Sequence, residues 1–185
     1  MPDALHFTDD DAANRLIAKN PLALLIGFVL DQQVNAQTAF SGPLKLEQRL
    51  GRLDAAEIAG LDPGRLEEIF REKPAIHRFP GNMARRVQEL CATIVSEYGG
   101  DAARVWTDAK DDADLRKRIG SLPGFGPMKI TSLGAVLAKR FGVAAAEPLV
   151  PKHPTLGDVD SREQMERYQA MKREHKAKMR AQSSA

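Results

Sequence analysis

LPGFGPMKI, residues 122–130, is the stretch of this sequence best suited to hold an anion. Gly124 and Gly126 flank one apolar residue, Phe125, between the polar run DADLRKRIG and a second run of helical periodicity. The pattern predicts a tight turn between two helices, because glycine takes backbone angles closed to other residues and lets another backbone come close. Pro127 suits the first position of the second helix, where its missing N–H has no intrahelical acceptor in any case. A helix starting there leaves free N–H groups at the positive end of its dipole, and a phosphate fits. Arg116, Lys117, Arg118, Lys129, Lys139 and Arg140 lie nearby in sequence and add an attraction blind to base sequence. An ordinary αα corner accounts for the same residues, so two readings stand at this point.

Asp31-Gln32-Gln33 is the second stretch with chemical potential. Residues 22–30 before it are apolar on every face, which predicts a helix buried inside a bundle. A carboxylate at the end of a buried helix caps something, faces a cleft or carries a raised pKa. The two glutamines face either that cleft or solvent.

LPGFGPMKI resembles the helix-hairpin-helix of the HhH-GPD superfamily of base-excision DNA glycosylases. The resemblance extends upstream: PLALLIGFVLDQQV, residues 21–34, is similar to the family's buried early helix and its glutamine-bearing turn, and FPGNMARRVQELCATIVSEYGG, residues 79–100, to the long basic helix before the hairpin. It covers roughly residues 21–142 and fades beyond. It implies an all-α, two-subdomain helical bundle that binds double-stranded DNA and cleaves the N-glycosidic bond of a damaged base. Gly124, Phe125, Gly126 and Lys129 would then hold the DNA backbone, and Gln32 or Gln33 would fill the gap left by the extruded base. Phe28, Asp31 and Met128 would line the base pocket.

The resemblance also implies a catalytic carboxylate. Breaking an N-glycosidic bond builds positive charge on the sugar, which a nearby carboxylate stabilises while orienting or deprotonating water. The family sets this Asp after a Gly/Pro-rich loop, often as Val-Asp-Thr. Val159-Asp160-Ser161 is similar, although the loop before it is longer than usual, so Asp160 is the first choice and Asp158 the second. Both could instead cap the terminal helix, leaving a catalytically inactive DNA-structure-binding or repair accessory protein. Family members that nick the strand carry a lysine just after the hairpin. Aligned on LPGFG, that place falls to Met128, and Lys129, about 100° further round the helix, is expected to point elsewhere. A monofunctional enzyme follows, acting on a base such as an alkylated one that already leaves easily. The family's glutamate for adenine opposite oxidised guanine would fall near Phe28, which argues against that specificity.

The chain of 185 residues is 43% hydrophobic with formal net charge +2, which fits a folded protein. Residues 161–185 are the basic part, with seven Lys or Arg against three Glu. The single cysteine, Cys91, excludes a four-cysteine iron–sulfur or zinc site within this chain, and its apolar helical setting suggests an inert thiol. No cofactor is expected. The acidic start and short apolar runs point to a cytoplasmic protein without a membrane segment, and a monomer is expected.

The elements that position these residues follow from periodicity and caps. Thr8 before Asp9, Asp10 and Asp11 predicts a helix start ending near Asn20. A helix over residues 37–50 should kink or restart at Gly42-Pro43. Two short helices, residues 54–61 and 63–72, and a loop holding His77 lead to a helix over residues 82–98, whose Arg85 and Arg86 face phosphate or solvent. In the hairpin's second helix Ile130, Leu133, Leu137 and Phe141 make the buried stripe, while Ser132, Gly134, Ala135 and Ala138 would let it pack closely on the first. The chain thus divides into a helical domain over residues 1–142 with the hairpin at 114–141, a proline-rich loop at 143–160, and a basic helix over 161–185 packing back on the domain.

Overall fold

The computed structural model describes residues 1–184, and among these every regular element is helical. Helix α1 (Asp11–Lys19) is capped by Asp10, whose carboxylate accepts from the N–H groups of Ala12 and Ala13. Thr8 is not the cap. It is buried, and its backbone exchanges hydrogen bonds with the Asn14 carboxamide, so the hydroxyl expected to start the helix closes the loop before it. Asn20 then caps α2 (Pro21–Leu30), which turns sharply away from α1 and is enclosed from Leu22 to Leu30. Each large apolar side chain sealed in this way stabilises the fold by about 1.5–3 kcal/mol.

Helix α3 (Ala36–Leu50) runs unbroken through Pro43, against the expected kink. Gly42 explains the tolerance: Leu30 of α2 presses so close that a Cβ on residue 42 would lie 2.4 Å from it, and this packing offsets the one backbone bond that proline removes. Gly27 does the converse, leaving room on α2 for the ring of Phe40.

Helices α4 (Ala55–Gly60) and α5 (Pro63–Arg71) pack on α6 (Pro80–Tyr98), where the Gln88 carboxamide donates to the carbonyls of Ile58 and Leu61. Cys91 of α6 is fully buried, and burial pushes its thiol up to about 12. Gly99, with φ 63°, ends α6 in the left-handed conformation. Helix α7 (Arg104–Thr107) places Trp106 in the core. Helices α8 (Asp112–Gly120) and α9 (Pro127–Phe141) then form the hairpin.

The proline-rich segment is ordered by two 3-10 turns, Ala144–Leu149 and Leu156–Asp158, before α10 (Arg162–Ser183) begins at its Ser161 cap. The small residues of α9 serve these turns rather than α8. A Cβ on Gly134 would lie 2.7 Å from Leu149, and one on Gly157 would lie 2.6 Å from the Ala135 carbonyl oxygen. The second contact is with backbone, which cannot swing aside. Gly157→Ala is therefore expected to lower stability by about 1–3 kcal/mol, visible in a melt as a loss of several degrees. An unchanged melting temperature would mean that the loop is not seated on α9.

Candidate functional site

The hairpin turn has the geometry that its glycines suggest. Gly124 has φ 84°, and a Cβ on Gly124 or Gly126 would meet nothing within 4 Å, so the turn presents an open backbone edge. Gly126 is the N-cap of α9, and beyond Pro127 the first-turn N–H groups of Met128 and Lys129 have no intrahelical acceptor. Phe125 does not share this role. Its N–H donates to the Leu122 carbonyl at 3.2 Å, and its buried ring lies 6.4 Å from that of Phe28.

The two residues after Pro127 exchange the places expected of them. Met128 is 87% exposed and walls no pocket. Lys129 turns inward, its ammonium donating to the Val29 carbonyl at 3.4 Å and standing 5.9 Å from the Phe125 ring. The reason is the register of α9: Lys129 lies four residues before Leu133 and so shares the buried stripe with Leu133, Val136 and Leu137. Alignment on LPGFG alone misses this rotation. Burial lowers the Lys129 pKa to about 8, Asp31 acting against the shift and Arg86 with it.

Asp31 is the residue after the last turn of α2, facing the same space. Burial raises its pKa, against the pull of Lys172, Lys129 and Lys176. The turn behind it is fixed by His77, which is 2% exposed. The imidazole Nδ1 accepts from the Phe79 N–H at 3.0 Å, so Nε2 carries the hydrogen and donates between the carbonyls of Leu30 (3.1 Å) and Gln32 (3.0 Å). Gln32 is held by Arg86, whose guanidinium donates to its side-chain carbonyl. Gln33 is left exposed at the tip with φ 56°, a left-handed conformation uncommon away from glycine. Of the two glutamines, only Gln33 projects freely. Phe28 is 1% exposed and packs edge-on to Phe40, so it lies beneath the site rather than lining it.

Helix α10 closes the third side. Burial raises the Tyr168 pKa to about 12, with Asp31 and Asp158 adding to the shift. The Gln169 side-chain nitrogen beside it is buried without a hydrogen-bond partner. Sequence periodicity pointed to none of His77, Tyr168 or Gln169 as site residues. Asp158 is engaged elsewhere: it pairs with the Lys139 ammonium and accepts from the Thr155 N–H at 2.8 Å, closing the second 3-10 turn. Burial opposes its ionisation, yet these contacts outweigh it and lower its pKa. Asp160 is exposed, one residue before the α10 cap, and makes no ion pair among the described residues.

The site thus joins an open helix-hairpin-helix turn, an inward lysine, a half-buried carboxylate and a projecting glutamine. The family model described as HhH-GPD superfamily base excision DNA repair protein matches residues 26–185. The chain belongs to this superfamily. No curated protein and no solved structure matches it. Membership in the HhH-GPD superfamily places the chain in base excision repair and gives meaning to the hairpin as a DNA-binding element.

The hydrogen bonds of His77 make the site's geometry pH-dependent. Burial lowers its pKa below the usual 6.5, so the unfolded chain takes up a proton that the folded chain refuses. The contribution of neutral His77 is fully present above 6.5 and is lost as pH falls below it, at up to about 1.4 kcal/mol per pH unit. Melting temperature should decline from pH 7 to pH 5.5, and the decline should flatten in His77→Asn. Equal pH dependence in both proteins would refute the assignment.

Proposed function

We propose that this HhH-GPD protein is a DNA glycosylase that hydrolyses the N-glycosidic bond of a damaged base, such as an alkylated purine, drawn from the duplex into the space between α2, α9 and α10. The observation that carries the reading is the meeting of Asp31 and Lys129 in a half-buried site directly behind the open edge of the hairpin. An enzyme that works on an extruded base must hold the backbone and supply charge at the sugar. Gly124, Gly126 and the first turn of α9 hold phosphate, Gln33 enters the vacated stack, and Asp160 stabilises the positive charge on the sugar. A cationic alkylated base leaves with little help, so no strong acid is required near it.

The placement of Lys129 favours a second reading of the same site. With its pKa near 8, a useful fraction of the amine is neutral at physiological pH and can attack C1′ of the damaged nucleotide. The C1′–N bond then breaks, its electron pair leaving with the base, which takes a proton. The nitrogen, having lost a proton, forms the C=N bond as the C1′–O4′ bond breaks, its electron pair leaving with O4′, which takes a proton; the imine so formed allows strand cleavage.

Single-turnover assays on duplexes carrying alkylated purines, uracil, hypoxanthine or oxidised guanine separate the two. Hydrolysis alone gives abasic sites seen only after hot alkali, abolished in Asp160→Asn and with no borohydride-trapped complex. The lysine route gives a trapped complex, absent in Lys129→Gln, whose rate rises with pH and levels above about 8. Tight binding without product on any duplex would replace both with a non-enzymatic DNA-structure binder.

A further inference from the structure

Helix α10 changes character halfway along. In its first half the charges are paired: Arg167 with Glu163 at 2.6 Å, and Arg162 with Glu166 at 3.7 Å and with Asp9 of the α1 entry at 3.4 Å. Here too Met165 is buried and Tyr168 and Gln169 are half-buried against the body. From residue 170 onward every described position is exposed, and Lys172, Arg173, Lys176, Lys178 and Arg180 form no ion pair among the described residues. A single acid, Glu174, accompanies these five cations.

Their spacing is the informative feature. Lys172, Lys176 and Arg180 recur every four residues, one above the other on a single face. Like charges at that spacing destabilise a helix by about 0.2–0.5 kcal/mol per pair, and none of the three is held in an ion pair among the described residues that would offset the repulsion. The same face carries Tyr168, whose ring lies 5.4 Å from the Lys172 ammonium, and it looks toward Asp31. The stripe therefore starts at the mouth of the site and extends away from it. Eight residues of helix rise about 12 Å, a length over which duplex DNA carries roughly seven phosphate charges.

We propose that the second half of α10 is a DNA-gripping arm, with Lys172, Lys176 and Arg180 lying along the phosphate backbone beside the extruded base. The partner is the duplex backbone rather than a base, since long flexible cations at regular spacing match a repeating charge and read no sequence. The arm adds a second hold on the duplex, separate from the hairpin, and relieves the repulsion along its own face. The proposal rests on the DNA-binding part of the reading above.

The test measures binding of the full chain to a short undamaged duplex over a range of salt concentrations. Each phosphate that a variant no longer neutralises should reduce the slope of log affinity against log salt by about 0.9. The triple variant Lys172→Gln, Lys176→Gln, Arg180→Gln should therefore lose close to 3 from the slope and between tenfold and several hundredfold in affinity at ~0.1 M salt. The control Arg162→Gln, Arg167→Gln removes cations from the paired half and should leave the slope near that of the unaltered protein. An unchanged slope in the triple variant, or an equal fall in the control, overturns the arm while leaving the glycosylase reading intact. Failure of the unaltered protein to bind any duplex overturns both.

Discussion

The site depends on one imidazole. Helix α2 is enclosed to its last residue, so its final carbonyls must find partners within the fold, and a buried carbonyl left unpaired costs about 1–3 kcal/mol. The Leu30 carbonyl accepts from the Gln32 N–H at 2.8 Å, and the Nε2–H of His77, shared between Leu30 and Gln32, ties this turn down from a segment more than forty positions away in the chain. It does so while bending the chain so that Asp31 faces inward and Gln33 outward. The same constraint leaves the imidazole neutral, because a second proton on the ring would displace the Phe79 N–H. Backbone satisfaction and the placement of reactive groups are here a single arrangement.

Much of the fold was legible because it is written in local signals. The all-apolar run of α2 and Pro127 opening α9 each state their element within a few residues, and the structure agrees. The misreadings at Thr8 and Pro43 share a cause: each residue obeys a tertiary contact, with Asn14 in one case and through Gly42 against Leu30 in the other. The same holds for the small residues of α9, which accommodate the 3-10 turns at Leu149 and Gly157, elements with no periodicity to announce them.

The site was less legible than the fold for a geometric reason. The hairpin motif gives the order of residues along α9 but not the angle at which that helix is set, and the angle follows from the stripe of Leu133, Val136 and Leu137 further along. That angle exposes Met128 and buries Lys129. In the same way, the paired Asp-Gln-Gln residues separate only in three dimensions, Gln32 being tied to Arg86 while Gln33 stays free. His77 lay in a loop with no periodicity to assign it a role. Its hydrogen bonds join segments that sequence keeps apart.

Cys91 shows a different kind of consequence. The sulfur sits in the middle of α6 with no exposed surface, and its proton is held far above the ordinary range. Reagents that transfer alkyl groups to purines also attack thiolates, and a thiol that is neither ionised nor accessible offers them nothing. The one thiol in the sequence is thus withheld from electrophiles in solution, locked inside the helix bundle.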